Sequence, residues 1–179
     1  KVISRKHAYH GTTMGALACT GPGPTFDFLK FMSEQMLMPC VSHITAPYCY
    51  RCDLELEYPS CDIACAKELK KEIETQGPET VSAFIGEPVI GAGGCIPPVP
   101  EYWPIIRSIC DEYGVLLIAD EVINGFGRTG KMFACEHWGL VPDIMTMAKN
   151  ITGCYFPLSA TIMKSELAEI MPRFMHVHT

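Results

Sequence analysis

A chain of 179 residues is the size of one domain, and with 48% hydrophobic and 19% charged side chains it can bury a real core, which excludes a disordered polypeptide. Its 14 basic residues against 20 acidic ones give a formal net charge of −6, so a nucleic-acid backbone is not an expected partner. No run of about 18 apolar residues is present, so no spanning helix and no membrane partner are expected. Lys1–Arg5 lacks the charged-then-apolar pattern of a signal peptide. The ten cysteines are irregularly spaced and several lie in apolar context, which points to a reducing, cytoplasmic home. Because the chain starts at Lys1 rather than Met, a mitochondrial location stays open.

In chain order, Val2, Ile3 and Ser4 read as a short strand, and Ala8, Tyr9, His10 and Gly11 as a turn into a helical run from Thr13 through Ala18. His10 fits equally a polar turn residue and a ligand contact. Residues 21 to 60 are punctuated by Gly21, Pro22, Gly23, Pro24, Pro39, Pro47 and Pro59, so they are expected to be a long irregular excursion with one helix near Phe26 to Met36. Long ordered loops usually serve function or assembly. Cys49, Cys52, Cys61 and Cys65 form a C-x2-C followed by a C-x3-C, a donor set of the kind structural zinc takes. Yet Cys61 and Cys65 open a helix that runs through Lys67, Leu69 and Ile73 toward Gln76, and the gap between the pairs is short for a zinc ribbon. Core or loop thiols are therefore expected, with no metal ligands assigned; a non-enzymatic zinc-binding or assembly module on these four is a separate alternative.

Val81 to Ile85 is then a strand ending at Gly86, Glu87 and Pro88, followed by a loop from Val89 to Pro100 and a helix from Glu101 to Tyr113 that Gly114 stops. This is a βα unit, and parallel strands joined by right-handed crossovers follow from it. Val115 to Ala119 is a continuous apolar run, a strand buried on both faces, with Asp120 and Glu121 at its carboxyl end. A loop punctuated by Gly125, Gly127 and Gly130 lets backbone approach a ligand closely. Cys110 and Cys135 lie in helix-like segments and read as small core residues. Pro142 and Asp143 lead into a second buried strand, Ile144 to Ala148, which ends at Lys149, 29 residues after Asp120. A strand to Met163, a helix from Ser165 to Met171, and Arg173 to Thr179 complete the chain. The expected fold is α/β, a mostly parallel sheet flanked by helices. Open sheets of this kind bind ligands at the carboxyl ends of their strands, where a carboxylate and an amine are here presented. Taken alone, that pair also fits a simple ion pair.

Asp120, Glu121, Val122, then Gly125 to Gly130, then Pro142, Asp143, Ile144 up to Ala148 and Lys149, resemble the pyridoxal-phosphate segment of class III aminotransferases in order, spacing and residue type. The resemblance implies the central part of the fold-type I large domain. It also implies pyridoxal 5'-phosphate as cofactor, with Lys149 as the amine that forms a Schiff base with it and later moves the substrate proton. Asp120 would hold the proton on the pyridine nitrogen, and Tyr9 in its Tyr-His-Gly turn, with His10 and Gly11, would lie against the ring, with Val122 on the opposite face. Glu87, in a Glu-Pro-Val stretch followed by Gly91, Gly93 and Gly94, would support the pocket, and Thr179 would reach the cofactor phosphate of a neighbouring subunit, implying a homodimer. Where members with a glutamate switch for a substrate-binding arginine carry that second glutamate, this chain has Ala92, which leans away from the ornithine and 4-aminobutyrate type. Ile151, Thr152 and Gly153, with Pro157, Leu158, Ser159 and Ala160, resemble the branch acting on amines or ω-amino acids with pyruvate; Asn150 stands where glycine is usual and can take the same left-handed conformation. The implied partners are a small amine and a keto acid. A lyase, decarboxylase or racemase on the same scaffold is the alternative, because the cofactor carries the chemistry and the fold does not fix which bond breaks. Residues 1–179 are expected to be a partial large domain, without the upstream phosphate cradle and the downstream small domain that the family has.

Overall fold

The computed structural model describes residues 1–23 and 40–170. Six strands form one sheet in the order β2-β1-β3-β4-β5-β6: β1 Val2–Arg5, β2 Val41–Ile44, β3 Ala83–Gly86, β4 Leu116–Asp120, β5 Ile144–Met147 and β6 Ala160–Met163. The first five are parallel and β6 runs antiparallel on β5. The helices are α1 Met14–Cys19, α2 Ala64–Gln76, α3 Tyr102–Tyr113 and α4 Ser165–Ile170. The α/β architecture expected from the sequence is present. The expected helix near Phe26 to Met36 and the segment from Met171 to Thr179 lie outside the described residues.

The alternation of strand side chains assigns the two faces. Ile3 is fully buried in the main core with Leu69, Ile73, Phe84, Trp103, Ile106 and Leu117, so that face of the sheet carries α2 and α3. Ser4, the next residue, points the other way and its Oγ donates to the Cys19 carbonyl at the end of α1, 2.7 Å away. Arg5 returns to the first face and is completely buried beneath Tyr102 and Trp103, its guanidinium 5.7 and 5.3 Å from their ring centres. Its guanidinium donates to the Glu87 carbonyl at the end of β3.

Two local departures from the expected pattern have physical causes. The excursion from residue 21 to residue 60 contains β2, which pairs with β1 from Val2↔Val41 to Arg5↔Ile44. Its end is fixed by the Thr45 N–H donating to Glu68 of α2 at 2.8 Å. And α2 begins at Ala64 rather than Cys61, because Asp62 and Ile63 sit at φ 50° and 49°, a left-handed turn that a helix cannot continue through. Cys110 lies on α3 and Cys135 in the short helical turn Ala134–Trp138, both buried, as the sequence leads one to expect. Burial pushes the Cys110 thiol up to about 12 and that of Cys135 higher still.

Asp143 ties the amino ends of β4 and β5 to the carboxyl end of the antiparallel β6. It accepts from the Leu117 N–H at 2.7 Å, from Arg107 of α3 at 2.8 Å and from Lys164 at 2.7 Å. Burial works against its charge, but the Leu117 N–H, Lys164 and Arg107 outweigh burial and hold the carboxyl below its ordinary 3.8. A depressed folded-state pKa means that this stabilisation is complete above about pH 3.8 and is lost as the pH falls through the lower folded value. Asp143→Asn should therefore lower stability at neutral pH by about 1–3 kcal/mol and flatten the loss below pH 4, read by urea denaturation across that range. An acid limb as steep as the parent's would show that Asp143 does not carry it.

Candidate active site

The strand order 2-1-3-4-5 places a topological switch between β1 and β3: the chain leaves β1 toward one edge and builds from β3 toward the other. By the general rule for such sheets, the carboxyl ends at that point are where a ligand crevice lies. Tyr9, His10 and Gly11 follow β1 and Glu87 follows β3, so the crevice is lined from both sides.

Glu87 fixes the turn. It is 2% exposed; Oε1 accepts the Tyr9 N–H at 3.1 Å and Oε2 the Gly91 N–H at 2.8 Å. Burial pushes its carboxyl above the ordinary range against the pull of those two N–H groups. The glycine loop behind it is held against the turn: a Cβ on Gly93 would lie 1.9 Å from the His7 carbonyl oxygen, so only glycine permits this approach. Tyr9 packs on Leu17 of α1.

Asp120 lies at the carboxyl end of β4, 6% exposed. Its Oδ2 is 2.6 Å from His10 Nδ1 and its Oδ1 accepts the Val122 N–H at 3.1 Å. His10 is thus a partner of the carboxylate, and its own N–H donates to Thr20 Oγ1 at 3.0 Å, while Thr20 Oγ1 donates to the Gly11 carbonyl. Glu121, adjacent in sequence, faces away from the crevice. It is completely buried and accepts the N–H groups of Ala134 and Cys135 at 3.1 and 2.8 Å. One of the two acidic residues therefore serves the crevice and the other the fold.

Lys149 follows the neighbouring strand. β5 pairs Thr146 with Asp120, and Lys149 comes three residues later at φ 47°. It lines an open cavity of about 650 Å³ with Arg128, Cys154 and residues 155–159. Asn150 does not take the left-handed conformation expected of it; Lys149, Gly153 and Cys154 do, at φ 47°, 61° and 65°. The Asn150 side chain instead donates to the Phe126 carbonyl at 2.8 Å and ties the lysine turn to the glycine loop. Tyr9, His10, Gly11, Glu87, Asp120 and Val122 thus form one connected set, Lys149 stands one strand away, and Thr179 lies outside the described residues.

All ten cysteines are free thiols. Cys49, Cys52, Cys61 and Cys65 line one small cavity with Ala46, Tyr48, Leu54, Leu56, Tyr58 and Ala64. Burial, with Cys49, Cys61 and Cys52 nearby, pushes the Cys65 thiol up to about 11. Among the described residues no three His, Cys, Asp or Glu side chains are arranged to hold a metal ion.

Sequence reasoning passed over Thr20, Arg5 and His43. Arg5 carried a signal, a cation two residues after Ile3 and so on the same face of a short apolar strand; His43 lay in the strand hidden in the proline-rich excursion.

An α/β sheet with a switch-point crevice and a buried carboxylate one strand from a lysine is the frame of a ligand-binding enzyme domain. Residues 1–179 match the model of the aminotransferase class-III family, and the chain belongs to that family. It is 42% identical to diaminobutyrate–2-oxoglutarate transaminase of Halomonas elongata over 96% of this chain and 36% of that protein. It is 39% identical to putrescine–pyruvate aminotransferase of Pseudomonas aeruginosa over 95% of this chain and 36% of that protein. An (S)-enantioselective ω-transaminase from Thermomicrobium roseum superposes with a TM-score of 0.89 at 45% identity, covering all of this chain and 40% of that one. The chain thus spans little more than a third of the length of such relatives.

Glu121→Ala would leave the Ala134 and Cys135 N–H groups buried without an acceptor, and should lower stability by about 1–3 kcal/mol per lost partner. Asp120→Asn, whose oxygen still meets Val122, should cost clearly less. Equal losses in chemical denaturation would contradict this division of labour.

Proposed function

We propose that this chain carries the lysine and the pyridine-binding carboxylate of a pyridoxal-phosphate-dependent transaminase that moves an amino group from an amine or ω-amino acid to a keto acid such as pyruvate. The observation that carries this is Asp120, a buried carboxylate held by His10 and the Val122 N–H at a strand end, with Lys149 at the end of the next strand. The match to the family and the resemblance to a putrescine–pyruvate aminotransferase and an ω-transaminase support it. Pyridoxal phosphate, when bound, supplies an aldehyde that condenses with amines and a ring that withdraws electrons from the reacting carbon.

The residues present fit that group. An anion shut off from water, as Asp120 is, favours a protonated ring nitrogen in contact with it, since an opposite charge at hydrogen-bond range raises that nitrogen's pKa. His10 Nδ1, 2.6 Å from its Oδ2, holds the Asp120 carboxylate in place. Tyr9 offers an aromatic face at the crevice, and Glu87 holds the backbone that presents it. Lys149 Nζ is the nucleophile and afterwards takes the substrate proton and returns it, acting as a general base. Ala92 leaves no carboxylate where a glutamate switch would stand. Thr179 is proposed to serve a neighbouring subunit, in keeping with a homodimer; the exposed run of Tyr155, Phe156 and Leu158 beside Lys149 supports an assembly that covers it. The irregular spacing of the ten cysteines suits a reducing compartment, and a cytoplasmic location is proposed on that ground. The described residues are proposed to be the central part of a large domain of this fold.

Borohydride reduction of the cofactor-loaded full-length protein followed by peptide mapping should label Lys149, and Lys149→Ala should abolish transfer from putrescine to pyruvate. Label on Lys131 or Lys164 would overturn the assignment. Asp120→Asn should still take up cofactor but lose roughly a hundredfold or more in kcat, the scale on which electrostatic stabilisation at a reacting centre is lost. A variant turning over near the parent rate would remove Asp120 from the mechanism.

A further inference from the structure

The functional proposal uses His10 only through its Nδ1, and leaves its other ring nitrogen unexplained. His10 Nε2 is buried and has no hydrogen-bond partner among the described residues, although the side chain is 2% exposed. A second buried imidazole nitrogen, His43 Nε2, is in the same condition. Two lone polar atoms of one kind, both shut off from water, are costly unless something joins them.

The fold brings these rings to one place. His43 pairs in register with Ser4 across β2 and β1, so both side chains leave the sheet on the α1 face. Ser4 ends on the Cys19 carbonyl, and the backbone of Ala18, Cys19 and Thr20 surrounds the His43 ring. His10 reaches the same end of α1 from the other side, through its N–H on Thr20 Oγ1. Both residues thus border the Cys19–Thr20 end of α1. With the Nδ1 proton of His10 on Asp120, its Nε2 in the neutral ring is an acceptor. An acceptor in that position calls for a donor from the His43 side.

We propose, resting on the function given above for Asp120, that His43 is a positioning residue for that carboxylate: its Nε2 and that of His10 are bridged by one water molecule, which locks His10 in the tautomer that keeps its Nδ1 proton on Asp120. A water with two ring partners and an enclosed polar site is the ordinary way such atoms are satisfied. The chain of contacts then runs from β2 through His10 to the strand end at β4, and the state of the carboxylate depends on a residue three strands away.

The test uses the full-length protein. In 15N-histidine spectra of the cofactor-free protein, His10 should show a protonated Nδ1 and a bare, hydrogen-bonded Nε2, and His43→Leu should shift the His10 signals while His43→Gln, which keeps a polar end, restores them in part. In the loaded protein, His43→Leu should move the cofactor's visible absorbance band and lower kcat by roughly tenfold with KM little changed, the size of coupling seen between members of one hydrogen-bonded network. In a His10→Phe background the same substitution should have no further effect. A His10 ring protonated at Nε2, or a His43→Leu effect undiminished without His10, would overturn the proposal. The spectra need neither cofactor nor substrate, so they judge the histidine pair even if the transaminase function itself fails its labelling test.

Discussion

Every parallel strand of this sheet that faces the crevice ends in polar groups removed from water, and the architecture depends on those groups satisfying one another. An unpaired buried carboxylate costs several kcal/mol or gives up its charge. Here Glu87 is met by the N–H groups of Tyr9 and Gly91, Asp120 by His10 and Val122, and Glu121 by Ala134 and Cys135. Each pairing also fixes a loop. The Tyr9 turn, the glycine loop after β3 and the helical turn at Ala134 have their backbones held by acids that strand ends deliver. Rigid presentation of the crevice and neutralisation of its buried charge are therefore the same set of bonds.

Arg5 extends this logic beneath the site. A fully buried guanidinium between Tyr102 and Trp103 gains from both ring faces and donates to the Glu87 carbonyl. Its charge also favours the ionised form of the Glu87 side chain, against the burial that opposes it. The two aromatic rings are part of the α3 core, so the packing of that helix bears on the residue that holds the Tyr9 turn. Core and site are joined at Arg5.

Much of this was legible in the residues. Strong apolar runs such as Val115 to Ala119 leave little choice of structure, and the helix from Tyr102 to Tyr113 is closed by Gly114 at φ 65°, as a left-handed stop requires. What was not legible depends on contacts between distant segments. β2 is four residues long with only Val41 and Ile44 apolar, and it exists because β1 offers an edge to pair with. The start of α2 was misplaced because helix-forming composition extends back to Cys61, while two left-handed residues decide where the helix begins. Asn150 was assigned a backbone role from its type, yet its side chain found a carbonyl in a loop 24 residues away. The partnership of His10 with Asp120 spans 110 residues, and no local pattern could announce it.

The dipeptide Asp120–Glu121 shows most directly how the strand period turns sequence into chemistry. Ala119 faces the core built by α2 and α3. With side chains alternating along an extended chain, Asp120 must face the opposite side, where α1 and the His10 turn lie, and Glu121 must return to the core side. That is where the Ala134 and Cys135 N–H groups wait, next to the buried Cys135. Both acids are shut off from water to a similar degree, so burial does not tell them apart; the face does. A slip of one residue in the pairing of β4 with β3 and β5 would exchange the two roles, sending the longer carboxylate into the crevice and leaving the shorter one to reach the helical turn. The in-register pairs Gly86↔Ala119 and Asp120↔Thr146 are what forbid that slip, because they also set the apolar face of β4 against the core. The hydrophobic pattern of the strand thus selects which of two neighbouring carboxylates serves the crevice.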